Sequence, residues 1–161
     1  MKHPLTFLFL LLSFICKSQT ATELNKQFEK EYNLRLNVLK INKVHTNYFN
    51  PFLEKRIDYL NNFIQDTTLQ EPELAEYYDF PSGCPLSWMA YEWSPLTDEK
   101  TPQKIVVDIL NRLSKADVHL YDPKFTFWGI RFRVDKNGYI SFSFIQSNFT
   151  NIWKPYEPKT H

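Results

Sequence analysis

The chain opens with hydrocarbon. Leu5 to Ile15 (LTFLFLLLSFI) is almost unbroken apolar sequence, preceded by the basic Lys2 and His3 and followed by Ser18, Gln19, Thr20 and Ala21. A charged start, a short apolar run and a small polar boundary are the order of a secretion signal, expected over residues 1–19 with cleavage near Gln19. The alternative, a buried N-terminal helix, fits poorly with a first segment apolar on every face. The run is shorter than the roughly 20 apolar residues that span a bilayer. No later stretch approaches that length, so no transmembrane span is expected.

Downstream the apolar positions fall into a helical period. Leu24, Phe28 and Tyr32 recur at i, i+4, i+8 and predict a helix over 21–34. A loop through His45 to Phe49 leads to Asn50-Pro51, where Asn suits the N-cap and Pro the first helical turn. A second helix is predicted from Pro51 to about Gln65, with Leu53, Ile57, Leu60 and Ile64 as its stripe. Residues 66–100 are the least regular, rich in Pro, Tyr and acids, with a short strand expected over Tyr91–Trp93. Thr101-Pro102 opens a third helix, whose buried face is Ile105, Val106, Ile109, Leu110 and Leu113.

The period then changes to two. Trp128, Ile130, Phe132 and Val134 alternate with Gly129, Arg131 and Arg133, and Ile140, Phe142 and Phe144 alternate with Ser141 and Ser143. Between them Asn137-Gly138, both tolerant of positive φ, signals a hairpin. The expected fold class is α+β, helices packed on a small antiparallel sheet, as a domain over 20–150 and a C-terminal tail over 151–161.

Charge excludes some partners. The chain holds 19 basic and 18 acidic residues, and loss of Lys2 and Lys17 with the signal leaves 17 against 18. No basic cluster stands out, which argues against nucleic acid and anionic membrane surfaces. Cys16 and Cys84 are the two cysteines. Ser13-Phe14-Ile15 is too bulky for the usual lipoprotein signal, so simple export is favoured over lipid anchoring through Cys16. Export leaves Cys84 alone, with no internal disulfide. Stability must then come from a packed core, for which 14 Phe, 9 Tyr and 4 Trp supply material.

Catalytic signatures are scarce. His45, His119 and His161 show no metal-ligand spacing, and three glycines leave no room for a phosphate loop. Asp135-Lys136-Asn137-Gly138 begins like a calcium loop but lacks the later ligands, so a turn is expected. Cys84 has no histidine near it in sequence and is expected to be a small buried hydrophobe. Glu71, Glu73, Glu76 and Asp79 are expected to form a solvated face. Trp88, Tyr91 and Trp93 fit a core better than a groove for sugar or peptide. No catalytic residue, metal site or cofactor is assigned.

One stretch is more specific. Residues 105–146, IVVDILNRLSKADVHLYDPKFTFWGIRFRVDKNGYISFSFIQ, resemble the last part of a CAP (SCP-type) domain. Leu120-Tyr121-Asp122-Pro123-Lys124-Phe125 is similar to the family's Leu-Leu-Asp-Pro-x-Phe loop, and Gly129 falls at its strand glycine. Tyr48-Phe49-Asn50-Pro51-Phe52-Leu53 looks like the Trp-Asp-Pro-x-Leu opening of the family's second helix, and Ala90-Tyr91-Glu92-Trp93 like its Gly-Glu-Asn-Ile segment. The likeness covers most of residues 21–147.

The resemblance implies an α-β-α sandwich and a cleft carrying two histidines and two acids. The acids correspond to Glu92 and Asp108. The first histidine falls near Leu60, a core position here, and the second near Ala116, with His119 approaching it only across a gap. Loss of the imidazoles removes the donors that hold a transition metal. The resemblance therefore implies an exported, non-catalytic binding module for an unknown peptide, glycan or lipid-like ligand, with Glu92, Asp108 and His119 as the binding residues. The alternative is a hydrolase using Glu92 and Asp108 as an acid/base pair. Burial of Glu92 against Arg131 or Arg133 would favour the binding module, and a third option is a family fold kept only for partner contact, with the cleft filled by Leu60 and its neighbours.

Overall fold

The computed structural model describes residues 4–63, 68, 70–71, 73, 86–95, 101–116, 119–135 and 137–148, with side chains for all but 4–19, Phe63 and 86–95. Three helices and four strands follow in the order α1 (Pro4–Val38), β1 (Val44–His45), α2 (Asn50–Phe63), β2 (Leu86–Pro95), α3 (Pro102–Ala116), β3 (Phe127–Val134) and β4 (Tyr139–Ser147). The sheet has the order β1-β3-β4-β2. β3, β4 and β2 pair antiparallel, but β1 adds to β3 in parallel, so the sheet is mixed rather than purely antiparallel.

The fold is α+β in three layers. One face of the sheet carries Trp128, Ile130, Phe132, Ile140, Phe142 and Phe144, which pack into one cluster with Leu24, Phe28, Tyr32 and Leu36 of α1 and the apolar stripe of α3. Every residue expected on that α3 stripe is buried. The other face, with Gly129, Arg131, Arg133, Ser141 and Ser143, is covered by α2. Phe49, Phe52, Leu53 and Ile57 are buried there. Helices thus lie on both faces, an α-β-α sandwich.

α1 is longer than its predicted 21–34, running unbroken from Pro4 to Val38. Its end is chemically defined. Lys40 takes φ 58°, and Lys40 N–H donates to Asn37 C=O (3.1 Å) while Ile41 N–H donates to Leu36 C=O (2.9 Å). That pair of bonds is a Schellman stop, here with Lys in place of the usual Gly. Left-handed backbone costs a non-glycine residue about 1–2 kcal/mol. The turn sets Ile41 against the core and sends the chain to the sheet edge. There Val44 N–H donates to Thr126 C=O and Thr46 N–H to Trp128 C=O, each at 2.8 Å, forming β1, a strand too short to show a period.

The helix starts differ. Thr101 Oγ1 accepts from Lys104 N–H at 3.4 Å and Thr101 C=O from Ile105 N–H at 3.1 Å, the expected cap. Asn50 is not the expected N-cap of α2. Phe49 C=O already accepts from Leu53 N–H at 3.0 Å, so Phe49 holds the cap position and Asn50 is the first helical residue. Burying Phe49 under the sheet outweighs a side-chain cap.

In the β3–β4 turn only one residue of the Asn137-Gly138 pair takes positive φ. Gly138 N–H donates to Asp135 C=O (3.2 Å), and Gly138 has φ 85°, while Asn137 does not enter that region. Asn137 stays at negative φ because Asp135 Oδ1 accepts from Asn137 N–H (2.7 Å) and Tyr139 N–H (2.8 Å). The loop read as a turn rather than a calcium loop is therefore a turn. β2 spans ten residues rather than the expected three, running antiparallel to β4 from Leu86↔Ser147 to Pro95↔Tyr139.

Candidate functional site

The three expected binding residues are distributed over the sandwich. Glu92 pairs in register with Ser141, and Ser141 with Arg133. That row lies on the α2 side, since Ser141 Oγ is 2.7 Å from Asn61 Oδ1 and Arg133 contacts Asp58. The side chain of Glu92, like those of Trp88, Tyr91 and Trp93, lies outside those described. Asp108 is exposed on α3, in the opposite layer. His119 follows α3, half-exposed, with Nδ1 3.5 Å from Asp122 Oδ2. The sheet thus lies between the row of Glu92 and both other residues.

The partners offered for Glu92 are already engaged. Arg131 lies 3.2 Å from Glu54, and Arg133 bonds Asp58. Glu54, Asp58 and Asn61 are spaced to line one face of α2. That face lies over Arg131, Arg133 and Ser141, so the polar groups of helix and sheet answer one another.

Leu60 is only partly buried rather than core, because Ile57 and Leu53 take the deep positions. Glu71 does more than face solvent. It pairs with Arg56, which is 7 % exposed and whose pKa is lowered by burial against the opposing pull of Glu71. Arg56 occupies a deep position on α2 that no sequence pattern marked. Cys84, Glu76, Asp79 and the tail lie outside the described residues.

The most developed polar cluster holds Lys43. Its Nζ donates to Gln146 Oε1 (2.7 Å) and to Leu120 C=O (2.9 Å), while Tyr32 Oη donates to the same carbonyl at 2.6 Å. Gln146 Nε2 donates to His119 C=O at 2.8 Å. Both Lys43 and Gln146 are buried. The cluster ties α1, β4 and the 119–125 loop together and fixes the backbone of His119. Gln146 had a readable signal, since it follows Ile140, Phe142 and Phe144 at the inward parity. Lys43 had none.

Asp122 organises the same loop. Its carboxylate is held below the ordinary range, first by the Lys124 backbone N–H (3.0 Å), against an opposing desolvation, and then by the Lys124 side chain and by His119.

No protein-family model, curated protein or solved structure matches the chain. Among the described residues no three His, Cys, Asp or Glu side chains gather as a metal site, and no helix is long and apolar enough to cross a membrane.

A cavity of about 140 Å³ opens between α1 and the β1 edge, lined by Asn25, Lys26, Glu29, His45, Asn47 and Arg131 among others. His45 Nδ1 is 3.3 Å from Glu29 Oε1, and its ring packs 4.6 Å from that of Trp128. The histidine joins the rim of the cavity to the aromatic core. Sequence spacing hid this, because Glu29 and His45 meet only after the turn at Lys40.

Proposed function

We propose that the chain is an exported, divergent CAP-type (SCP-type) domain that binds a ligand rather than catalysing a reaction, the ligand being a peptide, a glycan or a lipid-like molecule. The likeness of residues 120–125, the strand glycine Gly129 and the three-layer sandwich support the family reading. The leader-like run Leu5 to Ile15 supports export.

The observation that carries the non-catalytic reading is the separation of the two acids. General acid/base work needs two groups facing one substrate. Asp108 stands on the solvent side of α3, while the row of Glu92 faces α2 across the sheet. Leu60 supplies hydrocarbon where the family carries an imidazole.

The test is the melting temperature of the domain with zinc, calcium and magnesium, in wild type and in the Glu92→Gln/Asp108→Asn double variant. A ligand held only by the native state raises it. No metal-dependent rise is expected in either protein. A rise in wild type that vanishes in the double variant would overturn the reading and restore a working acid cleft.

A further inference from the structure

Helix α1 runs unbroken from Pro4 to Val38. Among its described side chains, those from Thr20 onward, the first buried one is Leu24. Phe28, Tyr32 and Leu36 follow it into the core, while Thr22 and Glu23 just ahead of it are exposed. The four residues before Leu24 have the composition of a helix start rather than a helix interior. Thr20-Ala21-Thr22-Glu23 is a capping-box sequence, a threonine followed three residues later by glutamate, directly before the apolar period. In such a box the threonine Oγ1 accepts from the glutamate N–H, and the glutamate side chain accepts from the threonine N–H.

In the full chain this box has no orphan groups to satisfy. Residues 20–23 lie inside α1, where their N–H groups answer the carbonyls of residues 16–19. Thr20 and Thr22 are poor residues for such a place, since β-branching restricts them in a helix interior. A cut just upstream changes this. Cys16 and Ser18 are small residues three and one positions before the Ser18–Gln19 bond, the spacing at which a leader-cleaving protease takes small side chains. One bond later the same places would hold Lys17 and Gln19, both long and polar. Loss of residues 16–18 with the leader takes away three carbonyls and leaves the N–H groups of Thr20, Ala21 and Thr22 without helical partners.

Charge changes in the same direction. The first turn of α1 in the full chain carries no acidic residue, and the basic Lys2 and His3 precede it. A first turn opened by Thr20 carries Glu23, which opposes the positive end of the helix dipole. The small pair, the capping box and the start of the core thus coincide within residues 16–24, and none of the three depends on the others.

We infer that the Ser18–Gln19 peptide bond is the processing site of the chain, and that its cleavage moves the start of α1 to Thr20, closed by the Thr20/Glu23 box. The step is a hydrolysis by the leader protease of the exporting cell. One water is consumed, the Ser18 carboxylate departs with the leader, and Gln19 gains a free α-amino group. This rests on the export reading and goes beyond it in naming the bond and what the cut does to the helix.

The experiment expresses the full chain in an exporting host and reads the intact mass of the exported protein, which is expected to begin at Gln19. The full chain with its leader retained is made alongside, without export, and Thr20→Ala is placed in both. In the processed protein that change removes the cap, and the melting temperature should fall by about 2–4 °C. In the full chain residue 20 is interior and alanine is the better helix former, so no fall is expected. Thr20→Ser keeps the capping oxygen and should melt with the wild-type processed protein. A chain held inside the host at full length would overturn the export reading and this inference with it. Export with the cut at another bond, such as after Thr20, or an equal effect of Thr20→Ala in both proteins, would overturn this inference and leave export standing.

Discussion

Lys43 Nζ lies 2.7 Å from Gln146 Oε1, in the buried seam where the turn after α1 meets the end of β4. Both side chains also bond backbone carbonyls of the loop after α3, at Leu120 and His119. Lys43→Met and Gln146→Leu should each leave buried partners unmet and lower stability by about 1–3 kcal/mol. The double variant should cost less than the sum of the two, because each single change already breaks the shared bond. Urea denaturation of the four proteins checks this. Full additivity would mean that the two residues act independently.

At Gly129 strand β3 lies close to both the end of β1 and α2. A Cβ built there would meet Thr46 C=O at 3.0 Å and Leu53 Cδ1 at 3.4 Å. The carbonyl belongs to Thr46, whose own N–H is fixed on Trp128 C=O at 2.8 Å, so it has little room to yield. Gly129→Ala should therefore destabilise the domain by about 1–3 kcal/mol through overpacking. Thermal melting gives the magnitude, and hydrogen exchange at the Thr46 amide should show the β1 bridge opening first. An unchanged melting temperature would show that β1 and α2 can move aside freely.

Asp122 predicts how the 119–125 loop responds to acid. Its pKa is lowered in the fold, chiefly by the Lys124 N–H bond. The unfolded chain therefore binds the proton more readily. The stabilisation is present in full above the ordinary carboxylate range and is lost as pH falls through the folded value. Asp122→Asn should melt below wild type at neutral pH, and the gap should close as the solution is acidified. Melting curves from neutral to strongly acidic pH check the sign. A gap that widens in acid would contradict it.

Much of the scaffold was legible in the chain. The α3 stripe, its Thr101 cap and the inward row Trp128-Ile130-Phe132 follow from period and side-chain chemistry, which are local properties. β2 was under-read, because alternation is weak where Trp, Met, Tyr and Pro crowd together and pairing to β4 supplies the order. Ser141 and Ser143 look like solvent-facing positions, yet both are buried. Alternation cannot tell a face open to water from one covered by a helix with polar groups of its own.

The candidate sites were less legible for a related reason. Glu92, Asp108 and His119 follow only from likeness in order along the chain, and order along the chain does not say which side of a sheet a residue takes. Glu29 and His45 carried no motif at all. They meet because Lys40 turns the chain back beside the helix it has just left.

By itself the sequence determined α3, the β3–β4 hairpin and much of the aromatic core, since each depends on residue type within a few turns or strand lengths. The tertiary structure alone decided which polar groups meet. Lys43 with Gln146, Arg133 with Asp58 and His45 with Glu29 are contacts across 103, 75 and 16 positions. Those distances in sequence carry no periodic signal, and only the packing of helices on both faces of the sheet closes them.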